Sequence, residues 1–112
     1  MKQDDVDRIV ELFNQRSAYW TSQGYFGATL YEQLASDSAL PEFFSPKVAA
    51  AIIGVLPSAM AQRRKRGDPP SFIRFAQNAT GYPRGTFCHF LRDRFVERRP
   101  ARAQSEYTQI PA

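Results

Sequence analysis

Behind the amide of Gln62 the chain carries four consecutive cations, Arg63, Arg64, Lys65 and Arg66, closed by Gly67. Guanidinium and ammonium groups in such a run neutralise phosphates, and an amide beside them can pair with both edge groups of an adenine. Four cations are more than the electrostatics of a helix end require. The chemistry on offer is recognition of a polyanion by contact. Covalent chemistry has weaker candidates. Cys88 and His89 are neighbours in a helical segment, so their side chains diverge by about 100° and cannot form a nucleophile and base with each other. The carboxylates Asp4, Asp5, Asp7 and Glu11 lack both metal-ligating companions and a glycine-rich phosphate loop, and read as acids at the positive end of a helix. One cysteine and one histidine make neither a disulfide nor a zinc ligand set. No metal, cofactor or enzymatic activity is expected.

Charge is divided along the chain. Residues 1–44 hold three cations and seven carboxylates, a net of −4, while residues 45–102 hold twelve cations and three carboxylates, a net of +9. That asymmetry separates a nucleic-acid-facing part from a part that faces something else. With 112 residues, 43% of them hydrophobic, the chain can bury one modest core. It contains no apolar run long enough to span a bilayer, and Met1-Lys2-Gln3-Asp4-Asp5 is acidic where an export signal would be basic and then apolar. A cytoplasmic, nucleoid-associated location without membrane contact is the expectation.

The elements that must hold the cations follow from periodicity and punctuation. Val6, Ile9, Val10, Phe13 and Trp20 recur at helical spacing and predict an amphipathic helix over 4–23, stopped by Gly24. A second helix is expected over 27–39, with Thr29 as a cap and Leu30 and Leu34 on one face. Pro41 and Phe43-Phe44 read as a hinge. Ser45-Pro46 is a start signal, with a serine cap and a proline at the first helical position, for a helix ending at Gly54. The next helix runs from Pro57 to Gly67 and carries the cations on its last turns. Asp68-Pro69-Pro70 forbids further helix. Phe72 to Phe75 alternates like a strand, Ala76 to Gly81 reads as a turn, and Tyr82-Pro83-Arg84 returns as an edge strand. A last helix, capped by Thr86, puts Phe87, Phe90, Leu91 and Phe95 on one face, with Cys88 as a small buried hydrophobe. Pro100 to Ala112 has no periodicity and reads as a flexible tail. The resulting fold class is mainly α, a winged helix-turn-helix with a small two-stranded wing and an N-terminal helical extension. Its parts are an acidic extension over 1–43, serving dimerisation or packing, a DNA-binding domain over 44–98 and a tail over 99–112.

Phe44-Ser45-Pro46, Ala49-Ala50, Ile52-Ile53-Gly54-Val55, the basic run closing at Gly67, Pro69-Pro70 and Tyr82-Pro83-Arg84 leading to Phe87 and Phe90-Leu91 form a spaced set. As a set, Phe44 to Arg94 resembles the small winged helix-turn-helix domain of the MerR superfamily, in the form found in phage excisionases and AlpA-type regulators. The resemblance implies a regulator or excision factor of a phage, plasmid or integrated element, with a recombinase or polymerase as protein partner. The chain departs from that pattern in four places. Leu56 replaces a serine or threonine cap, Arg63 replaces an aromatic, Gln77-Asn78-Ala79-Thr80 lacks a basic pair, and residues 1–40 have no counterpart.

The candidate contacts to double-stranded DNA are Ser58, Gln62, Lys65 and Arg66 on the outer helix face, with Arg63 and Arg64 reaching phosphates from beside the protein. Arg74 and Arg84, on facing wing strands, would grip the backbone, with Asn78 at the wing tip. Trp20, Tyr25 and Phe26 are the candidate protein interface, for a homodimer through the N-terminal helices or for a heterologous partner. The rival reading is a protein-binding adaptor or inhibitor on the same scaffold.

Overall fold

The structure, a computed structural model, describes residues 3–95. The tail read over 99–112, with Arg99 and Arg102, and Arg98 before it lie outside the described residues. Among the described residues, five helices and three short strands follow one another in the order α1 (Gln3–Ser22), α2 (Gly27–Ala35), β1 (Phe43–Phe44), α3 (Pro46–Ile53), α4 (Pro57–Arg66), β2 (Ile73–Ala76), β3 (Ala79–Pro83) and α5 (Arg84–Arg94). The fold is mainly helical with a small antiparallel sheet. None of the described helices is long and apolar enough to cross a membrane.

In α1 the buried side chains are Val6, Ile9 and Phe13, the stripe that its periodicity marks. The α2 helix stops at Ala35 rather than Ala39. The amides of Ser36 and Asp37 turn back onto the carbonyls of Gln33 and Leu34, and the Asp37 carboxylate accepts the amide of Ala39 at 2.9 Å. An aspartate thereby ends the helix by binding its own backbone. Thr29 does not cap α2 either: Phe26 occupies the cap position, and the Thr29 hydroxyl donates to the Phe26 carbonyl at 2.8 Å.

The α3 helix starts as its residues direct, with the Ser45 hydroxyl accepting the amide of Val48 at 3.2 Å and Pro46 in the first turn. It ends at Gly54, whose φ of 90° lies in the left-handed region that glycine enters without strain. A three-residue turn, Gly54 to Leu56, leads into α4. Leu56 has the extended backbone of a cap residue but no side-chain acceptor, so α4 begins uncapped.

The sheet has three strands, in the order β1-β3-β2, where the sequence reading has two. Phe43-Phe44 forms β1 rather than a hinge, with Phe44 opposite Tyr82 and Phe43 opposite Pro83. Two residues are too few to display a strand's alternation, and their pairing partner lies almost forty residues away. The turn between β2 and β3 is only Gln77-Asn78, which frees Ala79 to Gly81 for pairing with β2. Gly81 sits where a Cβ would approach Phe75 to 2.7 Å and Phe43 to 3.3 Å, so the missing side chain is what allows these two rings to meet edge to face across the strand. Arg84 does not extend the returning strand. Its amide is taken by the Glu42 carbonyl at 2.7 Å and it opens α5, which leaves Thr86 inside the helix rather than capping it.

One cluster of buried side chains joins these elements. Val6, Ile9 and Phe13 of α1 and Leu34 of α2 pack with Phe44, Val48, Ala49, Met60, Tyr82, Phe87 and Cys88. The first forty residues thus share the core of the basic half. A polar contact fastens them as well. Asp37, only 6% exposed, accepts hydrogen bonds from Arg16 Nε at 2.7 Å and Trp20 Nε1 at 2.8 Å. Burial by itself raises the Asp37 pKa, but the bonds from Arg16, the Ala39 amide and Trp20 outweigh it and hold the carboxyl below its ordinary value.

A carboxyl whose pKa is lower in the folded chain contributes stability above its unfolded value, about 3.9, and loses it as pH falls through the folded value. Asp37→Ala is expected to cost about 3 kcal/mol at pH 7 and to flatten the acid limb of stability, both read by urea unfolding through the fluorescence of Trp20. Leu56→Ser supplies the missing acceptor at the start of α4 and should raise stability by about 1 kcal/mol in the same measurement.

Candidate nucleic-acid interface

Because α4 follows α3 after three residues and β2-β3 returns alongside it, the outer face of α4 and the hairpin become two walls of one groove of about 710 Å³. Ala61, Gln62, Arg64 and Lys65 form the helix wall. Arg74, Gln77, Asn78, Ala79 and Thr80 form the hairpin wall, and Ser45-Pro46 closes one end. Three cations and three amide side chains line this space, and no carboxylate does among the described residues. Its potential is positive, in a concavity where field lines concentrate.

Gln62 and Lys65 are both exposed, stand three residues apart on one helix face and have no protein partner among the described residues. Ser58 continues their stripe one turn earlier, beyond the groove. The remaining cations of the run are engaged. Arg63 donates to the Pro69 carbonyl at 3.0 Å and lies over the Phe90 ring at 6.0 Å, which ties the segment after α4 back onto α5. Arg64 donates to the Tyr82 hydroxyl at 3.0 Å, and Arg66 pairs with Asp68 at 3.0 Å. On the hairpin, Arg74 reaches the Gln77 carbonyl at 3.4 Å, and Asn78 stands exposed in the turn.

The structure therefore brings together Gln62, Arg64, Lys65, Arg74 and Asn78 from the residues singled out by sequence, and leaves Ser58, Arg63, Arg66 and Arg84 off the groove lining. Arg84 is the clearest correction of position. It is not on a strand facing Arg74. Its guanidinium donates to the carbonyls of Ala35 at 3.1 Å and Leu40 at 2.9 Å, where it also neutralises the negative end of α2. Ser45, Gln77 and Thr80 were missed as lining residues. Ser45 is legible as a cap, but its position beside α4 depends on how α3 and α4 cross. Thr80 enters because the hairpin register sets it opposite Arg74.

The candidate protein interface divides in the same way. Trp20 is turned toward Asp37 and Tyr25 packs edge-on against it at 5.6 Å, while Phe26 is 70% exposed. On the nucleophile side, Cys88 is fully buried, and burial pushes its thiol up to about 12. No family model matches the chain, and no curated protein or solved structure matches it significantly.

If Arg84 is a strut between α2 and α5, Arg84→Ala removes two charge-assisted hydrogen bonds. It should lower stability by about 2 kcal/mol in chemical denaturation, and Arg84→Lys should recover only part of that because an ammonium cannot span two carbonyls as a fork does.

Proposed function

We propose that this chain binds duplex DNA with sequence preference, laying α4 into the major groove with the β2-β3 hairpin beside it on the backbone. The observation that carries the reading is the carboxylate-free groove in which Gln62 and Lys65 project without protein partners between Arg64 and Arg74. Gln62 suits an adenine edge and Lys65 the acceptors of guanine, while Arg64 and Arg74 suit phosphates. In this reading α3, the turn and α4 act as a helix-turn-helix and the hairpin as its wing. Asn78 at the turn is positioned to approach the adjacent minor groove.

Such a protein works by occupancy: once docked it recruits or excludes a recombinase or polymerase, as the resemblance to excisionases and AlpA-type regulators implies. The ion pair between Arg66 and Asp68 and the internal bonds of Arg63 reduce the number of cations free to meet phosphates. Sequence-blind affinity is correspondingly smaller than four adjacent cations would deliver.

Selection from a random duplex library followed by fluorescence anisotropy over a salt series tests the proposal. Log affinity should fall linearly with log salt, and Lys65→Glu should weaken binding to every duplex and make the slope shallower by about one unit. Gln62→Ala should cost about 1–3 kcal/mol on the selected site and little on random DNA. Failure to enrich any sequence, with salt-insensitive affinity, would sink the proposal.

A further inference from the structure

We infer that Tyr82 is a positioning residue of the groove, whose hydroxyl aims the Arg64 guanidinium at a DNA phosphate before DNA arrives. The inference rests on the duplex-binding reading above and adds the device that orients one of its contacts. Tyr82 lies on β3, is fully buried, and has its ring between those of Phe72 at 6.1 Å and Phe87 at 6.2 Å. With the ring boxed in, the hydroxyl is a fixed point. It accepts a hydrogen bond from Arg64 Nη1 at 3.0 Å across the space between α4 and β3.

Three physical consequences set this contact apart from the others in the basic run. The partner is neutral, so it orients the guanidinium without cancelling its charge, whereas Asp68 neutralises Arg66. One N–H of five is used, which leaves the rest of the fork for a phosphate that Arg64, as part of the groove wall, faces. Finally, an arginine held in one rotamer has less freedom to lose when it binds. The same bond joins helix wall to strand wall and so holds the groove at its width.

The test uses the full chain and a random-sequence duplex of fixed length, with anisotropy titrations over a salt series for wild type, Tyr82→Phe, Arg64→Gln, the double variant, and Lys65→Gln with and without Tyr82→Phe. Tyr82→Phe should weaken binding about three- to ten-fold, and Arg64→Gln should reduce the salt slope by about 0.9. The double variant should bind no worse than Arg64→Gln alone, because Tyr82 acts only through Arg64. The losses from Tyr82→Phe and Lys65→Gln should multiply. Wild-type affinity in Tyr82→Phe, or multiplied losses in the double variant, overturns the inference while leaving duplex binding intact. A wild-type chain that binds no duplex at low salt overturns both. Should thermal unfolding find Tyr82→Phe unfolded, Arg64→Lys decides: it keeps the charge and loses the fork, so it should bind more weakly than wild type while keeping the wild-type salt slope, and wild-type binding refutes the inference.

Discussion

Five aromatic rings in serial contact hold this molecule together: Phe13 on α1 meets Phe44, Phe44 meets Phe87, Phe87 meets Tyr82, and Tyr82 meets Phe72. Centroid separations between 5.4 and 6.2 Å and tilted or edge-on planes put each pair in the range where rings attract beyond their area burial. The series crosses from the acidic first helix to the strand behind the groove. Removing any of the four buried rings, Phe13, Phe44, Phe87 or Tyr82, would open a cavity where elements meet, which is the costly kind of core change. The groove depends on this series because Tyr82 belongs to both, its ring in the core and its hydroxyl on Arg64.

Around that core, the basic residues divide into fasteners and free groups. Arg63 holds the segment after α4 and Arg84 holds the end of α2, each through backbone carbonyls. Arg16 holds Asp37 and, with it, the turn after α2. Arginine suits this work because its planar fork satisfies several acceptors while its stem lies on apolar surface. Lys65, a more flexible point charge, is left to solvent on the same helix. A net charge counted over the segment therefore overstates the charge offered outward.

The β2-β3 hairpin has two unlike faces. Arg74 and Thr80, paired across the strands, line the groove, whereas Ile73 and Phe75 are exposed on β2, and Phe75 meets Phe43 above Gly81. Alternation along the strands produces this division. The register that sets it comes from a two-residue turn followed by an irregularity between Arg74 and Ala76, which brings Thr80 opposite Arg74 rather than Phe75. The run Ala76 to Gly81 concealed both, since its glycine, alanines and amides carry no strand signal.

Local chemistry was readable from the residues directly. The apolar stripe of α1, the serine cap and glycine exit of α3, the missing cap and the cations of α4, and the burial of Cys88 all depend on neighbours within a turn or two, where spacing and side-chain type decide the outcome. Everything set by contacts distant in sequence was not readable. The pairing of Phe44 with Tyr82, the loss of Arg84 from the hairpin to the carbonyls of α2, and the capture of Arg64 by a buried hydroxyl join residues 18 to 49 positions apart. By composition and order alone the chain determined a cationic helix behind a three-residue turn and an acidic helix ahead of it. Only tertiary packing decided which cations face outward, because a guanidinium chooses between solvent and a protein acceptor according to what the fold brings within hydrogen-bond reach.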